Sequence, residues 1–163
     1  MRAARGVYEE KGVENTNFRD IAEAAGVSRS TVFNYFAGSS ELLTALCGKE
    51  IDDLEEAYHE SGHQGKEGII SIFDRFVEDT ARYPQLVTQI IHNTVLSRDE
   101  NNPLKSIEGL IARNLDHDPS GETTMLLMGA YYGLINHYHL YGQPFDGEQM
   151  KLEMRKMIDR IIG

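Results

Sequence analysis

The sequence predicts an all-α fold: three short helices at the N-terminus, then a bundle of longer ones. Apolar residues recur at steps of three and four along nearly the whole chain, the spacing of amphipathic helices. No run of alternating β-branched residues occurs to mark a strand. The breaks between stripes are short and polar or glycine-containing, as links between antiparallel neighbours in a bundle are.

Taken in order, Ala3 to Lys11 forms a first helix, ended by Gly12. Asn17 followed by Asp20 is a capping-box start, with Asp in place of the usual Glu or Gln, for a second helix through Ala25. Gly26 ends that helix, and Ser28 caps a third running to about Phe36. Leu43, Cys47, Ile51, Leu54 and Tyr58 stripe a fourth, and Ile69, Ile72, Phe73, Phe76, Val77 and Thr80 a fifth. Pro84 sits where a sixth begins, and Val87, Ile90, Ile91, Thr94 and Val95 follow it without strict alternation. Leu104, Ile107, Ile111 and Leu115 make a seventh. Met125 to Tyr141 is the most apolar helix, and Met150, Met154, Met157, Ile158 and Ile161 mark the last.

Composition bounds the function. With 163 residues and 40 % hydrophobic content, the chain buries a proper core without disulfide or metal staples. Its single cysteine, Cys47, excludes an intramolecular disulfide and a Cys-rich metal site and fits a reducing compartment. The longest nearly apolar run, Met125 to Ile135, is shorter than the ~20 residues of a membrane span. No basic stretch followed by an apolar one opens the chain, so a soluble cytoplasmic protein without membrane partners is expected. Twenty-six acidic residues against sixteen basic ones give a net charge of −10, which in bulk argues against a nucleic-acid partner. Residues 1–50 hold six basic and seven acidic side chains, a net of −1, and the other 113 carry −9. The acidity therefore belongs to the C-terminal helices, and the N-terminal part is neutral.

The segment from Phe18 to Val32 has the logic of a helix-turn-helix spanning about residues 17–36. Gly26 supplies the positive φ a sharp corner needs, and Ala22 allows close approach of the two helices. Ile21, Ala25, Val27 and Val32 are spaced to fill the wedge, with Tyr35 closing it. Ala3-Ala4 through Glu10-Lys11-Gly12, Phe18-Arg19-Asp20-Ile21-Ala22, Ala25-Gly26-Val27-Ser28-Arg29-Ser30-Thr31-Val32-Phe33-Asn34-Tyr35-Phe36 and Glu41-Leu42-Leu43 carry a wider pattern. The stretch resembles the tetracycline-repressor (TetR) family of transcriptional regulators over the first quarter of the chain.

The resemblance implies a DNA-binding domain over 1–46 and a ligand-binding and dimerisation domain over 47–163. It implies that Ser28 to Phe36 is a recognition helix in the major groove, with Arg29 reading a base, most naturally guanine. Ser30, Thr31 and Asn34 are then base or backbone contacts, Tyr35 a backbone contact, and Thr16, Asn17 and Arg19 meet phosphate at the second helix. For Thr31 and Tyr35 the residues fit local helix satisfaction and packing equally. The implied function is a ligand-responsive homodimeric repressor on a palindromic double-stranded operator, released by a small-molecule effector. Three departures weaken its electrostatic term: Phe33 replaces a tyrosine, Ser39 a lysine, and Met1-Arg2-Ala3 lacks the usual polar lead-in, as a truncated or late-starting chain would. They leave open an all-α dimerisation or ligand-binding module with weakened or lost DNA binding.

In the bundle, Phe73, Phe76, Ile91, Met125, Met128 and Tyr132 are expected on an effector-pocket wall, with His92 and Asn136 as polar handles. Plain core packing accounts for the same aromatics and methionines. Gly129, Ala130, Gly133, His137, Met154, Ile158 and Ile161 are the expected dimer contacts, since small residues admit a second helix closely and a two-fold protein matches a palindrome. His59-Glu60-Ser61-Gly62-His63 matches the zinc-hydrolase H-E-x-x-H pattern, but Ser61-Gly62 falls where a helix is ending. No G-x-S-x-G, P-loop or G-x-G-x-x-G pattern occurs either, so neither enzyme activity, cofactor nor metal is expected.

Overall fold

A computed structural model describes residues 1–163 as nine helices without a strand. The helices gather into two compact units, Met1–Glu50 with Tyr83–Asn102, and Ile51–Arg82 with Pro103–Gly163. These units interleave along the chain, with the sixth helix packing among the N-terminal ones. One long helix, α4 (Ser39–Ser61), supplies residues to both.

The first unit holds α1 (Arg2–Lys11), α2 (Phe18–Ala25), α3 (Arg29–Tyr35), the start of α4, and α6 (Pro84–Thr94). Asn17 begins α2 through a reciprocal cap. Its Oδ1 accepts the Arg19 and Asp20 N–H groups at 2.9 and 3.1 Å, while Asp20 Oδ2 accepts the Asn17 N–H at 3.0 Å. The Asn17 N–H and the Lys11 ammonium on α1 (3.0 Å) hold the Asp20 carboxyl below the usual range. Gly26 ends α2 at φ 68°, the left-handed conformation the corner needs. Ser28 Oγ then accepts the Thr31 N–H at 3.1 Å and starts α3.

The wedge of the corner differs from the expected one. Phe18, Ile21, Ala22 and Val32 are buried, whereas Ala25 is exposed and Val27 and Tyr35 stand 44 and 73 % exposed. Spacing assigns a residue to a helix face but not how far the neighbouring helix extends over it. Elsewhere in this unit Tyr8, Leu42, Leu46 and Cys47 are buried, and burial pushes the Cys47 thiol up to about 11. Glu9 on α1 accepts the Leu86 N–H at 3.0 Å and so caps the first turn of α6, which starts at Pro84 as expected. Arg5 pairs with Glu50 and stacks over Tyr83 at 5.4 Å.

The second unit holds the end of α4 with α5 (Gly65–Arg82), α7 (Leu104–Arg113), α8 (Glu122–Leu140) and α9 (Gly147–Ile162). Ile69, Ile72, Phe73, Val77, Ile107, Ile111, Leu127, Tyr131, Met150, Met154 and Ile158 make its core. Tyr131 exchanges a 2.8 Å hydrogen bond with Thr80, so this buried phenol is satisfied. Ion pairs Lys66–Asp159, Asp74–Arg155 and Glu78–Lys151 run along the α5–α9 seam. Asp118 starts α8 by accepting the Thr124 hydroxyl and the Thr123 and Thr124 N–H groups, which hold its carboxyl below the usual range. Because α4 ends at Ser61, His63 lies beyond the helix that carries His59 and cannot share a helical face with it.

Gly68 on α5 lies under a buried amide. Tyr58 Oη donates to Asn114 Oδ1 at 2.8 Å, Asn114 Nδ2 donates to the Leu110 carbonyl at 2.9 Å, and a Cβ on Gly68 would stand 2.5 Å from that Oδ1. Alanine normally favours a helix over glycine by about 1 kcal/mol. Here Gly68→Ala is expected to reverse that sign and destabilise by ~1–2 kcal/mol, read as a lower thermal midpoint. Asn17→Ala, which removes the α2 cap, is expected to cost about 1 kcal/mol in denaturant unfolding.

Candidate nucleic-acid interface

Helix α3 presents its polar side chains to solvent because only Val32 among its seven residues is buried. Arg29, its first residue, is exposed and forms no ion pair or hydrogen bond through its guanidinium. That group lies over the Phe33 ring, 5.1 Å from its centroid. Asn34 and Tyr35 are exposed, and neither amide nor phenol has a partner in the chain. At the start of α2, Arg19 is exposed and unpaired. These four groups keep their hydrogen-bonding capacity for something outside the chain.

The hydroxyls in the same region are committed locally. Thr16 Oγ1 donates to the Gly12 carbonyl at 2.7 Å, so its proton is spent. Ser28 Oγ lies 2.8 Å from both the Ser30 and the Thr31 hydroxyls while capping α3. Asn17 Oδ1 is the cap of α2, leaving only its NH₂ outward-facing in capacity. Of the nine residues expected at DNA, four are thus uncommitted and five help to hold the helices that present them.

The remaining expected residues are dispersed. Phe73 and Met128 are fully buried, and Phe76 and Tyr132 are half-buried around Tyr131, whose ring stacks on Phe76 at 5.2 Å. Met125 (65 % exposed) and Asn136 lie on the outer face of α8, and Ile91 and His92 belong to α6 in the first unit. Helix α8 is apolar on both faces, so its periodicity does not reveal which face is inward. Two cavities do open in the second unit. One of about 340 Å³ is bordered by Tyr58, His63, Glu67, Asp74 and Arg155, and one of about 470 Å³ by Tyr58, Arg113, Asn114 and Asp116. None of the eight lines either.

The outer face of α8 carries Met125, Leu126, Gly129, Gly133, Asn136, His137 and Leu140, all exposed, with Ala130 half-buried at its edge. His137 packs against Tyr141 with ring centroids 4.7 Å apart and planes tilted at 49°. Two expected dimer contacts are elsewhere: Met154 and Ile158 are 1 and 0 % exposed inside the unit's core, so they cannot reach another chain. Ile161 is half-buried. The apolar stripe of α9 therefore faces inward, and the exposed apolar surface that sequence spacing missed is the Met125, Leu126 and Leu140 side of α8.

Residues 1–46 match the family described as bacterial regulatory proteins, tetR family. A curated relative, the HTH-type transcriptional repressor AcnR of Corynebacterium efficiens, is 28 % identical over 86 residues, covering 53 % of this chain and 43 % of that protein. The chain thus spans less than half the length of the curated relatives it matches. Among solved structures, a TetR transcriptional regulator from Rhodococcus sp. RHA1 aligns with a TM-score of 0.74 at 19 % identity, covering 99 % of this chain and 92 % of the other. The transcriptional regulator FadR from Bacillus subtilis, solved in complex with stearoyl-CoA, aligns at 0.70 and 17 % identity, covering 99 and 95 %. No helix is long and apolar enough to cross a membrane. The first 46 residues therefore match the tetR family of bacterial regulatory proteins, and the nine helices share the fold of the solved TetR regulator from Rhodococcus sp. RHA1.

Proposed function

We propose that the chain is a homodimeric, ligand-responsive transcriptional repressor that reads an inverted-repeat operator. The observation that carries this reading is the uncommitted polar edge of α3, where Arg29, Asn34 and Tyr35 stand exposed on a short capped helix. Its Arg29 guanidinium suits the paired acceptors of guanine in the major groove, while Arg19 at the start of α2 suits phosphate. Kinship with the repressor AcnR supports the direction of regulation.

The second copy docks on the outer face of α8. Gly129 and Gly133 have open space where a Cβ would stand, so another helix can approach the backbone closely there. A two-fold pair of chains sets two α3 helices about 34–36 Å apart, one turn of DNA. An effector that binds one dimer arrangement better than the other releases DNA by no more than that difference in affinity. The fold shared with a regulator solved with stearoyl-CoA makes acyl-CoA the first effector class to try.

Arg29→Ala is expected to reduce binding to the operator about ten- to a hundredfold, with circular dichroism and dimer mass unchanged. Fluorescence anisotropy against the DNA flanking the gene reads this, and an unchanged affinity counts against the assignment. Gly133→Glu adds a charge to open space, so the protomer keeps its fold while two like charges oppose each other across the two-fold. Sedimentation is expected to show a monomer, and operator binding is lost with the dimer.

A further inference from the structure

We propose that Phe33 is a specificity-determining residue that positions Arg29 before DNA arrives. The inference rests on the reading of α3 as the base-contacting helix. Arg29 and Phe33 are four residues apart on one helix face, where side chains meet. The guanidinium carbon of Arg29 lies 5.1 Å from the Phe33 centroid, and Phe33 in turn packs against Phe18 with centroids 5.0 Å apart and planes at 56°. Phe18 is 7 % exposed in the core of the corner, directly after the Asn17 cap. A chain of three side chains thus links the rigid start of α2 to the outward cation of α3. Phe33 is 47 % exposed, too open for core packing to account for it alone.

The chemistry of the stack explains what it does. A guanidinium over a ring is held by its charge against the π face, and none of its five N–H donors is spent on another group of the chain. No carboxylate pairs with Arg29, so the ring is the group that limits its rotamers without competing for its hydrogen bonds. Ordering the side chain in the free protein removes that cost from the binding step. Phenylalanine suits this better than a residue with its own polar end, since it offers DNA nothing in place of Arg29. The surface then spends its specificity through one preset cation.

The test compares wild type, Phe33→Leu, Phe33→Tyr, Arg29→Ala and the Phe33→Leu/Arg29→Ala pair on operator duplexes. One duplex is intact, and three carry each alternative base pair at the position whose discrimination Arg29→Ala abolishes. Phe33→Leu is expected to lower discrimination at that base pair about two- to fivefold, with affinity for random DNA unchanged. Phe33→Tyr, which keeps the ring, is expected to retain discrimination, and Phe33→Leu is expected to add nothing once Arg29 is gone. In the free protein, NMR is expected to show the Arg29 Hδ protons shifted upfield by the ring, and the shift to vanish in Phe33→Leu. Phe33→Met, which fills space without a flat face, carries the same comparison if leucine loosens the corner. Equal loss on every duplex, additivity with Arg29→Ala, or no ring-current shift overturns the proposal. A shift present in a wild-type chain that prefers no duplex overturns instead the reading of α3 as a DNA reader, and the role of Phe33 in specificity falls with it.

Discussion

Helices of eight and seven residues are too short to stand in water on their own hydrogen bonds, and α2 and α3 are of those lengths. What holds them is end chemistry together with a small apolar wedge. Asn17 and Asp20 close the first turn of α2, Gly26 turns the chain back, and Ser28 opens α3. Phe18, Ile21, Ala22 and Val32 supply the buried contact between the two. Most polar side chains near the corner are consumed by this task. The few left over are Arg19, Arg29, Asn34 and Tyr35, which stand exposed without a hydrogen-bond partner in the chain.

That division of labour bears on the charge of the chain. Lys11 lies in the neutral N-terminal part, but its ammonium is engaged by Asp20. Arg5 is likewise engaged by Glu50. On the proposed reading few bases in this part remain free to meet phosphate, and the counterion-release term that dominates non-specific affinity is correspondingly small. Such a head depends on the geometry of a few contacts rather than on bulk attraction, and this places weight on how rigidly Arg29 is held. The acidic excess of the remaining residues keeps that part of the chain unattractive to nucleic acid.

The sequence made some of this legible and hid the rest for physical reasons. Caps depend on residue type and local spacing, so the Asn17–Asp20 box, the Gly26 corner, the Ser28 cap and the Pro84 helix start could all be read directly. Packing between segments could not be read this way. Periodicity placed Val27 and Tyr35 in the wedge, yet no neighbouring element covers them enough to bury them. Helix α8 is apolar all round, so spacing could not separate Met128, in the core, from Met125, on the outer face. For α9 the stripe of Met154 and Ile158 was correct as a stripe, but it faces inward rather than towards a partner. The Arg29–Phe33 stack was within reach of sequence, because a cation and an aromatic ring four residues apart on a helix are neighbours.

In the proposed dimer, two copies of α3, set one DNA turn apart, read the same half-site twice. Selection of bound duplexes from a random pool by the purified chain tests it most directly. Enrichment of an inverted repeat is expected, with half-site centres about 10 base pairs apart or a whole multiple of that spacing. A pool that stays random, or that converges on a single unrepeated site, would contradict it.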